Sequence, residues 1–188
     1  MPAVSNFDYH TEYSALEVYL ENWEQKMEEE WGPVFVHESG HALMAVLHKI
    51  PCHGICFERG GDAGQFCAVI PPVSPEHRSK PDYLVLAAGV AAERLIYPHK
   101  QSIGANADRR DFESSGSHPK FDATVQEAYE IISSERRKLK RLVSMLKSKT
   151  RAVDFDLGKL PEVGMDGSDR RYLILLSKDE LENAVNRA

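Results

Sequence analysis

The chain has 188 residues, with 23 lysines and arginines against 29 aspartates and glutamates, and its formal net charge is −6 at pH 7. This acidic balance argues against broad affinity for nucleic acid, and the length suits one domain with a hydrophobic core better than two. No apolar run approaches the roughly 20 residues of a membrane helix, the first residues lack the pattern of a signal peptide, and three cysteines make no disulfide framework. We therefore expect a cytoplasmic protein that uses neither a membrane nor nucleic acid as a partner.

Apolar residues recur at spacings of three and four across residues 11–31, which predicts an N-terminal helix. The sequence WGP interrupts this pattern, and Pro33 suits the first turn of a second helix that should run to about Lys49. Two short apolar segments around RGGDAG, residues 59–64, predict a β-hairpin. The proline-rich segment that follows, residues 71–82, is predicted to be an extended loop.

The second half of the chain is predicted to be mostly helical. A helix rich in small residues should span Asp82 to Tyr97, with a surface that another helix can approach closely. One or two helical turns are expected after Asn106, and a long helix from about Asp122 to Lys149. The segment of residues 154–169 reads as a loop, and RYLILL after it as a strand or a helix. A capping box then predicts a short last helix.

The stretch VHESGH, residues 36–41, places two histidines four residues apart, with a glutamate directly after the first. Four residues advance about 400° on an α-helix, so His37 and His41 project from one face and can bind one tetrahedral zinc ion. Glu38 lies about 100° round the helix, where it can take a proton from water that the metal activates. Gly40 indicates that another element packs tightly against this helix.

A zinc site with two histidines and a water needs a third protein ligand. The metzincin pattern HExxHxxGxxH does not supply one, because position 47 is Leu47. Spacing alone leaves three candidates open: Glu93 in VAAERLI, and Asp108 and Asp111 in GANADRRD. We therefore expect the third ligand to be a carboxylate from a later segment.

Three blocks of the sequence resemble, in order, the FtsH-type zinc protease domain. VHESGHALMAVL resembles its HEAGHA helix, CFERGGDAGQFCAVIPP its strand–turn–strand, and AAGVAAERLIYPHKQSIGANADRRD its GGRAAEE and TGASND segments. The helix EAYEIISSERRKLKRLVSMLKSK is also similar to one of that family, so the resemblance covers residues 34–149. We accordingly expect residues 1–188 to form a single peptidase-like domain. It would carry an N-terminal helical extension, residues 1–32, and a C-terminal extension, residues 150–188.

The resemblance implies that His37 and His41 are zinc ligands and that Glu38 is the catalytic acid/base. Asp108 matches the aspartate of TGASND and would be the third ligand, while Glu93 matches the first glutamate of RAAEE and would support a ligand histidine from behind. The second strand of the hairpin would offer an edge on which an extended polypeptide substrate pairs. The substrate-binding residues predicted there are Gly64, Gln65, Phe66, Cys67, Ala68 and Val69.

The sequence departs from the family in places. Val90 stands where the family has arginine, and Ile103 where it has threonine. No GxxxxGK[ST] phosphate loop occurs in the 188 residues, so the ATP-driven module of the family is not in this sequence. Such a peptidase would cut polypeptides that are already unfolded or extended, or that a separate ATPase or other partner chain delivers. Whether the chain forms a homo-oligomer is left open.

Taken together, the sequence predicts a mainly α-helical α+β fold in which a zinc-binding helix packs beside a small hairpin. The predicted function is a zinc metalloendopeptidase that uses metal-activated water, with Glu38 as general base. Two other readings compete with it. One is a noncatalytic zinc-containing module that binds peptides or proteins, which the arginine lost at Val90 favours and the retained Glu38 disfavours. The other is an ordinary helical scaffold in which the short motif occurs by chance.

Overall fold

The computed structural model describes residues 29, 31–59, 65–100, 102, 104–114, 118–153, 162–164 and 171–187. The chain divides into two compact units, Met1–Gly32 and Pro33–Ala188, and nearly all of the described residues belong to the second. Most of the helix predicted for residues 11–31 lies outside the described residues. So does the centre of the hairpin turn, including Gly64.

The described part of the chain is mainly helical with a small antiparallel sheet, which confirms the predicted fold class. In chain order its elements are α1 (Gly32–Leu47), β1 (Gly54–Arg59), β2 (Gln65–Val69), α2 (Lys80–Ile96), α3 (Ala105–Phe112), α4 (Phe121–Ser134), α5 (Arg136–Val153), β3 (Glu162–Gly164), β4 (Arg171–Ser177) and α6 (Lys178–Asn186). A single 3₁₀ turn, Pro75–His77, interrupts the proline-rich loop.

The sheet has four strands in the order β2-β1-β4-β3. The predicted hairpin is confirmed, with β1 and β2 antiparallel and Cys56 opposite Cys67. The segment RYLILL, which the sequence left undecided, is strand β4, and it pairs with β1 rather than extending the last helix. The prediction that residues 154–169 are all loop is wrong at Glu162–Gly164, since these residues form β3 against β4. Strand β2 ends the sheet, so one of its edges has no partner among the described strands.

The single long helix predicted from Asp122 to Lys149 is in fact two helices, α4 and α5, separated at Glu135. At this point the Ser134 hydroxyl donates a hydrogen bond to the carbonyl of Ile131 (2.7 Å). The amide of Glu135 is shared between the carbonyls of Ile131 and Ile132. Such local bonding by a serine competes with the regular helical ladder, which explains a break that neither glycine nor proline announces.

Helices α1 and α2 approach each other closely at Gly40. A Cβ at this position would lie 2.5 Å from the carbonyl oxygen of Ala88 and 2.7 Å from the Cβ of Ala92. The tight packing predicted from Gly40 and from the small residues of α2 is therefore confirmed. The largest fully buried side chains are Phe35, Phe112, Leu43, Met44, Ile55, Ile132, Leu139, Leu142, Leu146, Leu176 and Leu181.

None of the helices in the described ranges is both long and apolar enough to span a bilayer. Cys52, Cys56 and Cys67 are not joined in disulfides, and the first two are buried.

Candidate metal centre

Two helices bring together the three residues of the candidate centre. Helix α1 carries His37 and His41 one turn apart, and their Nε2 atoms lie 3.0 Å from each other. Helix α3 carries Asp108, whose Oδ2 atom lies 3.3 Å from the Nε2 of His37 and 3.6 Å from that of His41. The predicted third ligand thus faces both imidazoles, although Asp108 lies 67 positions after His41 in the sequence.

The other nitrogen of each imidazole is fixed by a hydrogen-bond acceptor. The Nδ1 of His37 donates to Oε1 of Glu93 (2.6 Å), and the Nδ1 of His41 donates to the backbone carbonyl of Val85 (2.7 Å). A carbonyl can only accept, so Nδ1 of His41 must carry the hydrogen, and a carboxylate makes the same demand of His37. In their neutral forms, both histidines therefore present a bare Nε2 lone pair to each other and to Asp108.

This arrangement fits a bound cation. Three electron-rich atoms converge, and the buried Oδ2 of Asp108 receives no hydrogen bond from any described residue. Ligands held at about 2.0–2.1 Å from a tetrahedral zinc ion lie about 3.4 Å from one another. The three distances of 3.0, 3.3 and 3.6 Å between the donor atoms scatter about that value. Nitrogen and carboxylate oxygen are also ligands that zinc takes in proteins.

Protonation of the metal-free centre follows from the same geometry. Burial by itself lowers the pKa of His37, but the nearby carboxylate of Asp108 and the hydrogen bond to Glu93 outweigh it and raise that pKa to about 10. Burial would raise the pKa of Asp108, yet the neighbouring imidazoles of His41 and His37 outweigh this effect and hold that pKa well below its usual range. In the absence of a metal, a proton supplies the positive charge that the three atoms require.

Glu38 lies beside the histidine pair at the end of the sheet. Its Oε2 accepts a hydrogen bond from the backbone N–H of Ala68 in β2 (2.6 Å). Burial raises the pKa of Glu38, although the nearby imidazoles and this backbone N–H offset part of the effect. A carboxylate with a raised pKa is a stronger base than an ordinary glutamate.

A pocket of about 350 Å³ opens over the two histidines, Glu38 and Asp108. Much of its wall is apolar and comes from the segment after β2 and from α2. These lining residues are Ile70, Pro71, Pro72, Val73, Val85 and Leu86. Of the predicted substrate-binding strand, Ala68 lines the pocket. Gln65, Phe66, Cys67 and Val69 belong to the same strand β2, and Gly64 lies outside the described residues.

Glu93 takes the position that the resemblance implies for it, behind a ligand histidine. Besides accepting from His37, its Oε1 accepts a hydrogen bond from the hydroxyl of Ser102 (2.8 Å). Glu93 is 3 % exposed and does not join the three converging ligand atoms. A buried carboxylate in this position orients the imidazole and increases its basicity.

Asp111, the remaining candidate from spacing, lines the same pocket but is paired with Arg78. Its Oδ1 accepts a hydrogen bond from Nη2 of Arg78 (2.9 Å). Of the three carboxylates that the sequence left open, only Asp108 belongs to the cluster found among the described residues.

The sequence interpretation missed two glycines that border the imidazoles. A Cβ on Gly89 would lie 2.5 Å from Cε1 of His37 and 2.5 Å from Nε2 of His41. A Cβ on Gly104 would collide with the ring of His37. The sequence predicts that the small residues of α2 give space to another helix, whereas Gly89 gives space to the two imidazoles. Gly104 lies four residues before Asp108, one helical turn away, and this spacing could have indicated that Gly104 borders the site.

The Val85 carbonyl, Ser102 and Arg78 were also missed. A backbone acceptor carries no sequence signature, and an arginine in a proline-rich loop gives no indication of a partner 33 residues away.

No protein-family model matches this chain, and no curated protein matches it in sequence. The resemblance to the FtsH-type protease domain therefore stays a prediction that rests on the quoted residues, and the function has to be argued from the geometry of the site.

Proposed function

We propose that this protein is a zinc-dependent metalloendopeptidase. The observation that carries the proposal is the convergence of two Nε2 atoms and one carboxylate oxygen, with both Nδ1 atoms held by acceptors. His37, His41 and Asp108 would hold the metal. When bound, zinc supplies Lewis acidity, which lowers the pKa of water toward about 7 and polarises a carbonyl group.

Glu38 is the residue proposed to move protons. It follows His37 directly on α1 and lines the same pocket as the three ligands. Its carboxylate would take a proton from the attacking water and deliver it to the nitrogen of the leaving amine. The raised pKa of Glu38 supports this proposal, because a carboxylate of higher pKa takes up a proton more readily.

An extended polypeptide is the proposed substrate. Strand β2 ends the described sheet, and the backbone N–H of Ala68 points out of the hairpin ladder toward Glu38. A substrate that adds to this edge by backbone pairing would pass over the metal ligands. The apolar wall of the pocket suits apolar side chains of such a chain. Such pairing requires an extended backbone, which a polypeptide has when it is already unfolded or is delivered by a separate ATPase chain.

A noncatalytic zinc-containing binding module is the second candidate. One observation favours it: the Oε2 atom of Glu38 already accepts a hydrogen bond from the backbone N–H of Ala68, so this oxygen is engaged and less available to take a proton from water. In that case the metal would act as a structural link between α1 and α3, and the edge of β2 would hold a peptide without cleaving it.

Cleavage of unfolded casein by the zinc-loaded protein separates the two candidates. We expect Glu38→Gln to retain zinc and to lose cleavage by at least about 100-fold, in line with the loss of a general base. Glu130→Gln changes an exposed glutamate outside the site and should cleave normally. Stoichiometric zinc in the wild type without any cleavage would support the binding module. Equal cleavage by wild type and Glu38→Gln would refute the proposed role of Glu38.

A further inference from the structure

Arg78 connects the loop that forms one wall of the pocket to the helix that carries Asp108. Its side chain is only 8 % exposed. Nη1 donates to the backbone carbonyl of Asp111 (2.5 Å) and to Oγ of Ser114 (3.1 Å), and Nη2 donates to Oδ1 of Asp111 (2.9 Å). Nε donates to the carbonyl of Val73 within the loop itself (3.3 Å).

An arginine that lines the pocket of a peptidase suggests a receptor for a negatively charged group of the substrate. The contacts of Arg78 argue against that reading. Four hydrogen bonds use most of the five N–H donors of the guanidinium group, and the carboxylate of Asp111 neutralises its charge. Arg78 is therefore committed to holding two protein segments together.

The position of α3 decides where Asp108 lies. This helix has only eight residues, and its first turn follows Gly104, which contacts the ring of His37. Near its other end, the buried Phe112 packs against Tyr83 and Phe121. Arg78 holds the same end from the pocket side, three residues beyond Asp108. A shift of α3 by a fraction of an ångström would change the distances between Asp108 and the imidazoles.

We infer that Arg78 is a positioning residue: by clamping Asp111 and Ser114, it fixes α3 so that Asp108 completes the zinc site. The inference rests on the proposed function, because it assumes that Asp108 binds zinc. It adds that the pocket wall of residues 70–79 and the ligand-bearing helix are coupled through one side chain.

Zinc affinity, measured by competition with a chelating dye, tests this inference. Arg78→Gln should weaken zinc binding by about tenfold, the lower end of the effect of residues that orient ligands. Arg78→Lys should recover little, because an ammonium group cannot reproduce the planar fork of donors. Asp111→Ala removes the carboxylate but leaves the bonds of Arg78 to the backbone carbonyl of residue 111 and to Ser114, so it should weaken zinc binding by more than twofold but by less than Arg78→Gln. The double variant should be no weaker than Arg78→Gln alone, because both changes act on the same clamp.

Arg109→Gln is the matched control. Arg109 lies on the same helix and forms a similar ion pair with Asp122 (3.0 Å), but it joins α3 to α4 rather than to the pocket loop. This variant should keep zinc affinity within about twofold of the wild type. The thermal unfolding of all metal-free variants shows whether any loss reflects general destabilisation.

Zinc affinity of Arg78→Gln within twofold of the wild type would overturn the inference, as would an equal loss in Arg109→Gln. If Arg78 were instead a receptor for the substrate, Arg78→Gln would raise KM for acidic peptides and leave zinc binding unchanged. If Arg78→Gln does not fold, Asp111→Ala decides by the same criteria. A wild type that binds no zinc would refute the proposed function itself, which is a different outcome from failure of the clamp.

Discussion

At the scale of single residues, the site depends on which nitrogen of each imidazole carries the hydrogen. Glu93 and the carbonyl of Val85 fix that choice for His37 and His41, and so direct two lone pairs at Asp108. The two acceptors are not equivalent. Glu93 carries charge that strengthens the basicity of His37, whereas the carbonyl of Val85 only orients the ring of His41.

The charge of Glu93 can be tested directly. Glu93→Gln keeps an oxygen that can accept from His37 but removes the negative charge, so zinc affinity should fall by about 10- to 100-fold. Chelator competition on the variant and on Glu130→Gln measures this effect. A zinc affinity that is unchanged in Glu93→Gln would mean that orientation alone matters.

The pH dependence of zinc binding follows from His37. The pKa of this residue is raised to about 10 in the metal-free protein, so at pH 7 a metal must displace a proton. We expect zinc affinity to rise with pH between about 7 and 10, with at least one proton released per zinc. Titrations in buffers of different ionisation enthalpy count the released protons. An affinity independent of pH in this range would contradict the assignment of His37.

The stability of the metal-free protein should change in the opposite direction. Because the folded pKa of His37 lies above its ordinary value of 6.5, protonation of this residue stabilises the fold fully below about pH 6.5. That contribution is lost as the pH rises through about 10. Urea unfolding of the metal-free protein at pH 6.5 and pH 9 should therefore show a lower free energy of unfolding at the higher pH.

At the scale of elements, two helices share one interface that serves both packing and chemistry. Helix α2 contacts Gly40 of α1 through Ala88 and Ala92. The residue after Ala88, Gly89, leaves space for the imidazoles of the two histidines. Small residues in α2 therefore have two distinct uses. The sequence predicted the first from the run of alanines, but the second required knowledge of where the histidines lie.

Gly89→Ala separates the two uses. The added Cβ would lie 2.5 Å from atoms of both histidines, so the rings must move and zinc affinity should fall by at least tenfold. Gly40→Ala should instead push the helices apart and lower the free energy of unfolding by about 1–3 kcal/mol, the usual cost of overpacking. Chelator competition and thermal unfolding of both variants give the comparison. Normal zinc binding by Gly89→Ala would show that the site has more space than the structure indicates.

The C-terminal segment is integral to the sheet, although the sequence resemblance leaves it unmatched. Strand β4 lies between β1 and β3, and Leu176 and Leu181 are fully buried. A chain that ends at Val153 would lose these contacts, at roughly 2–5 kcal/mol for each large side chain, and would expose an edge of β1. We expect this truncation to aggregate, whereas a chain that ends at Asn186 should fold normally. Soluble expression of the shorter chain with an unchanged unfolding temperature would contradict this expectation.

Prediction of these elements succeeded where local patterns decide the structure. The spacing of His37 and His41 depends on one helix, and the hairpin depends on two neighbouring segments. RYLILL could not be assigned, because a short apolar run fits either a buried strand or a helix, and its partner β1 lies more than 100 residues earlier. The third ligand could be chosen from three carboxylates only through the family resemblance, since spacing does not show which side chain turns toward the histidines.

At the scale of the whole molecule, the site exists only in the folded chain. His37 and His41 come from α1, Glu93 from α2, Asp108 from α3, and the N–H that holds Glu38 from β2. Segments so distant in sequence meet only through the packing of α1, α2 and the sheet. Zinc binding would link α1 to α3 and should therefore report on the correct assembly of the molecule.

Zinc binding by the purified protein and by its Asp108→Asn variant is the decisive measurement for the proposed site. We predict one zinc ion per chain in the wild type and a loss of affinity of more than about 100-fold in Asp108→Asn, beyond the range of supporting residues. Asp111→Asn should lose no more than about tenfold, because an amide oxygen can still accept from Arg78. The absence of stoichiometric zinc in the wild type, or equal affinities in the two variants, would show that Asp108 is not the third zinc ligand.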